Sequence, residues 1–304
     1  MSDAAIMDPK VPQARLDEGA PAMPSRSLWG RVRKASPGLW LAGGYLLFLM
    51  VIAIFGTALA PYDPITQNIP NRHAPFSMAH WLGTDEIGRD VASRLMMGAR
   101  PALLGVLICI FTACVVGIPW GLAAGYLGGR IDQVLMRIVD ALLVFPGIIL
   151  CLVLTTVLGV SLFNSMLALG MVYAPSLARV VRSGVLVVRD REFVIITRLY
   201  GASAMYRMWR HVLPNAAGPA LVKVTFLCGS AMLAQTGLSF LGIGIQPPNP
   251  SWGQSLAESF RYILVNPGAG IAPGVVVVFT VLSFYRVGDA LRDWLANAGS
   301  PFAH

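Results

Sequence analysis

Six stretches of mostly apolar residues, separated by segments that hold most of the charge, constrain this chain more than any other feature. They are Leu39–Ala60, Leu103–Tyr126, Ala141–Gly159, Leu162–Val181, Pro219–Leu241 and Ala269–Val287. A helix that crosses the hydrocarbon core of a bilayer needs roughly 20 such residues. Backbone groups in lipid have no water to bond, so runs of this length cross as helices that satisfy their own N–H and C=O groups. The reading is an all-α membrane protein with six transmembrane helices. Gly117, Pro119, Pro146 and Pro175 fall inside these runs and predict kinks within a packed bundle. Composition agrees: 56% of the chain is hydrophobic and 12% charged, against roughly 45–50% and 25% for soluble domains.

Charge sets an expected direction. With the N-terminus inside, the inner segments hold six Lys and Arg in the tail before the first run, two in 127–140, seven in 178–214 and two at the C-terminal end. The outer loops then hold Arg72, Arg89, Arg94, Arg100 and Arg261. Positive residues gather on the cytoplasmic side, so both termini are expected in the cytoplasm. The net charge of +8 is spread over loops and tails rather than one stripe, so no nucleic-acid partner is expected. The first 38 residues read as a cytoplasmic, disordered tail, and the first run as an uncleaved anchor, because it exceeds the 7–15 residues of a signal-peptide core. Cys109, Cys114, Cys151 and Cys228 all lie in apolar runs without C-x-x-C spacing, which predicts neither a disulfide nor a metal cluster.

Between two apolar runs, residues 178–214 carry seven arginines against Asp190 and Glu192. Phe193–Tyr200 has helical character, interrupted by Arg198. Gly201 suits the left-handed geometry that ends a helix, Ser203 suits the N-cap of a second helix over Ala204–Leu213, and Pro214 is expected to stop it. Such a helix-turn-helix either rests on anionic lipid or grips a soluble partner; spacing alone leaves both open.

Between the first two runs stands Trp81-Leu82-Gly83-Thr84-Asp85-Glu86-Ile87-Gly88-Arg89-Asp90-Val91-Ala92-Ser93-Arg94. Thr84 reads as an N-cap, Asp85 and Glu86 as acids at a positive helix start, and Asp85 and Arg89 as a pair across one turn. A capped surface helix is the expectation, favoured over a metal site built from His80, Asp85, Glu86 and Asp90.

The run Gly201-Ala202-Ser203, nine residues, then Leu213-Pro214-Asn215, with His211 two residues before Leu213, resembles the "EAA loop" of ABC-importer permeases. The Glu-Ala-Ala that names this loop falls on Ile195, Ile196 and Thr197 here. His80 through Arg94, preceded by Ala60-Pro61-Tyr62-Asp63-Pro64, resembles the hallmark of the C-type permease subunit of dipeptide, oligopeptide and nickel importers. Leu238–Gly244, Gln246–Pro248, Ser251–Gly253 and Gly288–Asp293 fit the same family. The resemblance implies a type I ABC importer permease of MetI-like fold. It comprises a tail (1–38), a first helix with its extracytoplasmic loop (39–98), a permease domain (99–290) with a coupling loop (182–214), and a cytoplasmic end (291–304). It further implies a B-type permease partner, two ABC ATPase subunits that hold ATP and magnesium, and an extracytoplasmic binding protein. Glu192, Arg198, Gly201, Ala202, Ser203, His211, Leu213 and Pro214 become the candidate coupling residues. Gly83, Thr84, Asp85, Gly88, Arg89 and Asp90 become the extracytoplasmic motif. No cofactor is expected on this chain.

In the same family the turn into the third run carries Gly128-Gly129-Arg130-Ile131-Asp132. Arg130 and Asp132 are read as anchors at the membrane edge, and Asp140 as a partner of Arg137. Lys223 and Arg286 are expected to snorkel. A phosphate-binding loop is absent, since none of Lys10, Lys34 and Lys223 follows Gly or precedes Ser or Thr. All four histidines lie outside the runs and no H-E-x-x-H occurs, which argues against intramembrane proteolysis. Di- and oligopeptides lead as cargo, with nickel or another small solute as the alternative. An ion-coupled secondary transporter is more remote, because the run centres are nearly free of ionisable groups.

Overall fold

The computed structural model describes residues 37–264 and 266–297; of the tail (1–38) and the C-terminal end (291–304) read above, residues 1–36 and 298–304 lie outside this range. Among the described residues the elements are helical, apart from one isolated bridge between Thr84 and Asp90. Five helices are long and apolar enough to cross a bilayer, or six if one bent pair is a single span.

Helix α1 (Pro37–Leu59) leads into a long loop holding a 3₁₀ turn, Ile69–Asn71. Helix α2 (Val91–Leu127) runs unbroken for 37 residues with Pro101 and Pro119 inside it, about 55 Å at 1.5 Å per residue. It is followed by α3 (Gly129–Val144), α4 (Gly147–Leu158) and α5 (Leu162–Val188). Then come α6 (Glu192–Leu199), α7 (Ala204–Arg207), a π turn over Met208–Val212 and α8 (Leu213–Phe240). Helices α9 (Trp252–Phe260) and α10 (Pro267–Asn297) complete the described chain.

Helices α2 and α5 form the spine. Glycines four apart on α2 face successive turns of α5. A Cβ at Gly117 would meet the Ala174 carbonyl oxygen at 2.7 Å, one at Gly121 would overlap the Ala178 carbonyl, and one at Gly125 would sit 2.8 Å from Val185. The register rises on both helices together, so they run parallel. With no hydrophobic drive between helices in lipid, close backbone approach at small residues supplies the packing. Around the spine lie two apolar clusters. One gathers Leu95, Val106, Met166, Leu169, Met232, Trp252 and Val277 towards the end that carries the Ala60–Asp90 loop. The other gathers Leu122, Leu177, Val181, Val185, Met208, Val212 and Leu227 towards the arginine-rich end.

The third apolar run, read as one span over Ala141–Gly159, is broken. Helices α3 and α4 meet at 94° across Phe145 and Pro146. Phe145 is extended (φ −75°, ψ 138°), as the residue before a proline tends to be. Helix α4 has 12 residues, about 18 Å, which falls short of the roughly 30 Å hydrocarbon core. The apolar signal belongs to α4, while α3 is amphipathic.

Candidate functional site

The arginine-rich segment folds as an anchored foot. Helix α5 continues past its apolar stretch to Val188, and Arg189 caps it while donating from Nη1 to the Gly125 carbonyl (2.7 Å). Helix α6 opens with Glu192 in its first turn and closes with Arg198 in its last, each charge favourable to the helix dipole. Its end is a complete Schellman motif. The Ala202 amide donates to the Thr197 carbonyl (3.2 Å) and the Gly201 amide to the Arg198 carbonyl (3.1 Å), with Gly201 left-handed at φ +76°. Ser203 then accepts from the Tyr206 amide (3.3 Å) and caps α7. The expected hinge, Gly201-Ala202-Ser203, is therefore built as the sequence indicated.

Pro214 differs from expectation. It does not stop the helix but sits at its second position, and the helical run passes from Ala204 to Phe240 through the π turn. A proline inside a helix lacks one N–H and crowds the carbonyl four residues back; a widened turn over Met208–Val212 absorbs that conflict. Asn215 Nδ2 donates to the His211 carbonyl (2.6 Å) across this junction. The ring of His211 meets Tyr206 edge-on at 5.4 Å.

One side of the foot is fixed and the other is open. Val194, Met208 and Val212 are buried in the cluster with Val181, Val185 and Val188. Ile195, Ile196, Leu199, Tyr200, Met205, Tyr206 and Trp209 face outward, Leu199 at 80% and Tyr200 at 87% exposure. The candidate coupling residues Glu192, Arg198, Gly201 and Ser203 are also exposed, while Ala202, His211 and Leu213 are half-buried. No added Cβ at Gly201 would meet an atom within 4 Å, so the glycine is required by backbone geometry and not by crowding.

At the opposite end, residues 84–90 are not a capped surface helix. Thr84 bonds the Ala74 amide (2.8 Å) and the Asn71 carbonyl through its hydroxyl, while Asp85 accepts from the Ile87 and Arg89 amides. The helix begins at Val91, with Asp90 as its N-cap accepting from the Ser93 amide (2.8 Å). Two left-handed glycines force the loop's shape. A Cβ at Gly83 (φ +73°) would come within 2.5 Å of the Ala74 carbonyl, and one at Gly88 (φ +79°) would overlap the Asn68 carbonyl.

Asp85 and Arg89 do pair as expected, with Nε to Oδ2 at 2.6 Å, but the pair is buried. Arg89 Nη2 also reaches Glu258 on α9 (2.8 Å). Arg94 lies 3.8 Å from Asp85 and 3.7 Å from Glu258, and donates to the Pro64 carbonyl (3.1 Å). Two acids and two guanidinia thus balance in one buried cluster. Asp90 adds a contact to His80 Nδ1 (2.9 Å). Among the described residues no three His, Cys, Asp or Glu side chains converge as metal ligands. Local spacing did not point to Glu258, 169 residues from Arg89.

One further expectation is corrected: Asp140 pairs with Arg179 on α5 (2.6 Å) rather than Arg137. Asp132, read as an edge anchor, is held by both Nε and Nη2 of Arg182 (2.5 Å each). Local spacing pointed to Arg137, but α3 lies across α5 and its acids meet arginines there.

Comparison with known proteins bears on the family and the fold. A model of the binding-protein-dependent transport system inner membrane component family matches residues 117–298. A model of the N-terminal transmembrane domain of oligopeptide transport permease C matches residues 27–75. The chain is 36% identical to the probable D,D-dipeptide transport system permease protein DdpC of Escherichia coli (strain K12), over 86% of this chain and 88% of that protein. It is also 36% identical to the glutathione transport system permease protein GsiD of Escherichia coli O157:H7, over 90% of each. A solved structure of the MetNI methionine ABC transporter in an inward facing conformation shares the fold, with a TM-score of 0.55 and 20% identity over 66% of this chain and 95% of that one.

Proposed function

The chain belongs to the family of binding-protein-dependent transport system inner membrane components, and on that footing we propose that it forms half of a pathway importing short peptides, driven by ATP hydrolysis on separate subunits. It is a multi-pass inner-membrane permease. The observation that carries the coupling role is the foot. Two short helices meet at the left-handed Gly201, are anchored by Val194, Met208 and Val212, and present Leu199, Tyr200 and Met205 to a partner. A rigid, apolar, exposed projection on a lipid-embedded bundle can transmit a push only if something grips it.

In this reading an ABC ATPase subunit, with its ATP and magnesium, docks on Glu192–Pro214 in the cytoplasm, with Arg198, Gly201, Ala202, Ser203 and His211 at or beside the contact. Leu213 and Pro214 join the foot to α8, so displacement of the foot tilts that span. A homologous B-type permease supplies the other half of the pathway inside residues 99–290, and an extracytoplasmic binding protein delivers cargo. The Gly83, Thr84, Asp85, Gly88, Arg89 and Asp90 loop clamps the outer end by tying α2 to α9. Peptidic cargo is inferred from relatives named for D,D-dipeptide and glutathione transport.

The test is reconstitution of the chain with its second permease, ATPases and binding protein in vesicles. Gly201→Trp is expected to insert normally and to abolish cargo-stimulated uptake while the ATPases still hydrolyse ATP. Normal uptake by this variant overturns the coupling role. Accumulation of solute by the chain alone, without nucleotide, overturns the whole reading.

A further inference from the structure

Helix α3 has two faces that the bundle treats differently. Val139 is fully buried, and Asp132, Leu135, Met136 and Leu142 are half-buried. On the other side Ile131, Val134 and Ile138 are 47%, 59% and 45% exposed. At 100° per residue these three fall within about 60° of one another around the axis. Arg130 and Arg137, seven residues apart, share the flank of that stripe. The two acids of the helix are already taken by Arg182 and Arg179. Among the described residues the side chains of Arg130 and Arg137 make no ion pair.

The ion pairs also fix how α3 lies. From Asp132 to Asp140 the chain advances about 12 Å along α3, while their partners Arg182 and Arg179 are about 4.5 Å apart along α5. Helix α3 therefore crosses α5 steeply, whereas α4 runs back along α5, with Cys151 reaching the Ser165 carbonyl at 3.7 Å. Helix α5 begins at Leu162, and a hydrocarbon core consumes roughly 20 residues, which puts its far boundary near Arg182. The crossing occurs at that boundary.

We propose that α3 is an interfacial helix, lying along the bilayer surface at the arginine-rich end. Ile131, Val134 and Ile138 enter the acyl boundary, and Arg130 and Arg137 bind the phosphates of anionic phospholipid. The apolar stripe with a cationic flank is the pattern of helices that lie in that plane. The occupant is lipid because the unpaired charges of α3 are cations alone, Asp132 and Asp140 both being paired with arginines of α5, and because the next residues enter the apolar α4. This inference rests on the chain spanning a bilayer and is independent of which cargo it moves.

The experiment places an environment-sensitive fluorophore at Ile131→Cys, Val134→Cys or Ile138→Cys, with the four native cysteines changed to alanine. The full-length chain is studied alone and within its assembled importer, in nanodiscs of phosphatidylethanolamine and phosphatidylglycerol. Lipids brominated at different depths quench the probe. All three positions should be quenched to the same extent, most strongly by bromines near the headgroup, and assembly should leave this unchanged. A progressive shift towards the chain termini from 131 to 138 would mean a crossing helix and overturn the proposal. Loss of quenching on assembly would mean a protein covers the stripe, and would overturn it equally. Arg130→Gln with Arg137→Gln should lower the preference for retained phosphatidylglycerol severalfold in native mass spectrometry; an unchanged preference defeats the headgroup contact.

Discussion

At Gly201 the backbone takes φ +76° in open space, so the cost of any side chain there is conformational. A left-handed residue with a Cβ costs about 1–2 kcal/mol, and asparagine tolerates this region better than alanine. Cargo-stimulated uptake is expected to fall in the order Gly, Asn, Ala at position 201, measured as uptake per ATP hydrolysed. Equal coupling by Gly201→Ala would mean that the turn's shape is irrelevant. At Arg89 the argument is electrostatic. Its side chain bridges Asp85 and Glu258 while nearly excluded from solvent. Arg89→Ala leaves two carboxylates short of a partner and should cost roughly 3–5 kcal/mol. Arg89→Lys should recover only part of this, because a single ammonium cannot serve both acids in the same geometry. Thermal unfolding of the detergent-purified chain measures both. A Gly88→Ala variant should also unfold early, since its Cβ has no room beside the Asn68 carbonyl.

Among elements, the α2–α5 contact is the one most sensitive to a single methyl group or more. Gly121 lies against the Ala178 carbonyl and Val181. Gly121→Val should force the two helices apart and abolish a monodisperse elution peak, whereas Gly237→Val on α8, where an added Cβ meets nothing within 4 Å, should be tolerated. If both variants elute alike, close approach does not hold the spine. Helix α3 is fastened to α5 through Asp132 and Arg182, both only partly exposed. A double-mutant cycle with Asp132→Asn and Arg182→Gln should give a coupling of about 1 kcal/mol. The third apolar run is a span with a break in it: α3 and α4 meet at 94° across Phe145 and Pro146.

For the whole molecule, the distribution of Lys and Arg predicts that the foot lies in the cytoplasm and the Ala60–Asp90 loop on the other side. Two highly exposed positions test this in intact cells: Met78, at 96% exposure, and Tyr200, at 87%. A membrane-impermeant maleimide should label Met78→Cys directly and Tyr200→Cys only after the inner membrane is opened. Labelling of both from one side would refute the topology.

The helical class and the hinge at Gly201-Ala202-Ser203 were legible in the sequence because each rests on a local rule, and the family was legible through the resemblance of its motifs. Apolar length sets a span, a glycine sets a left-handed turn, and a serine sets a cap. The stripe at Gly117, Gly121 and Gly125 was equally local in its spacing, but its meaning required a second helix. What only the tertiary structure decided were the partners: Glu258 for Arg89, Arg182 for Asp132, Arg179 for Asp140. It also decided the passage of the helix through Pro214 and the conversion of an expected surface helix into a buried loop. An ion pair forms between whichever opposite charges the packing brings within about 3 Å, and for Glu258, Arg182 and Arg179 that placement came from a different helix and not from spacing along the chain.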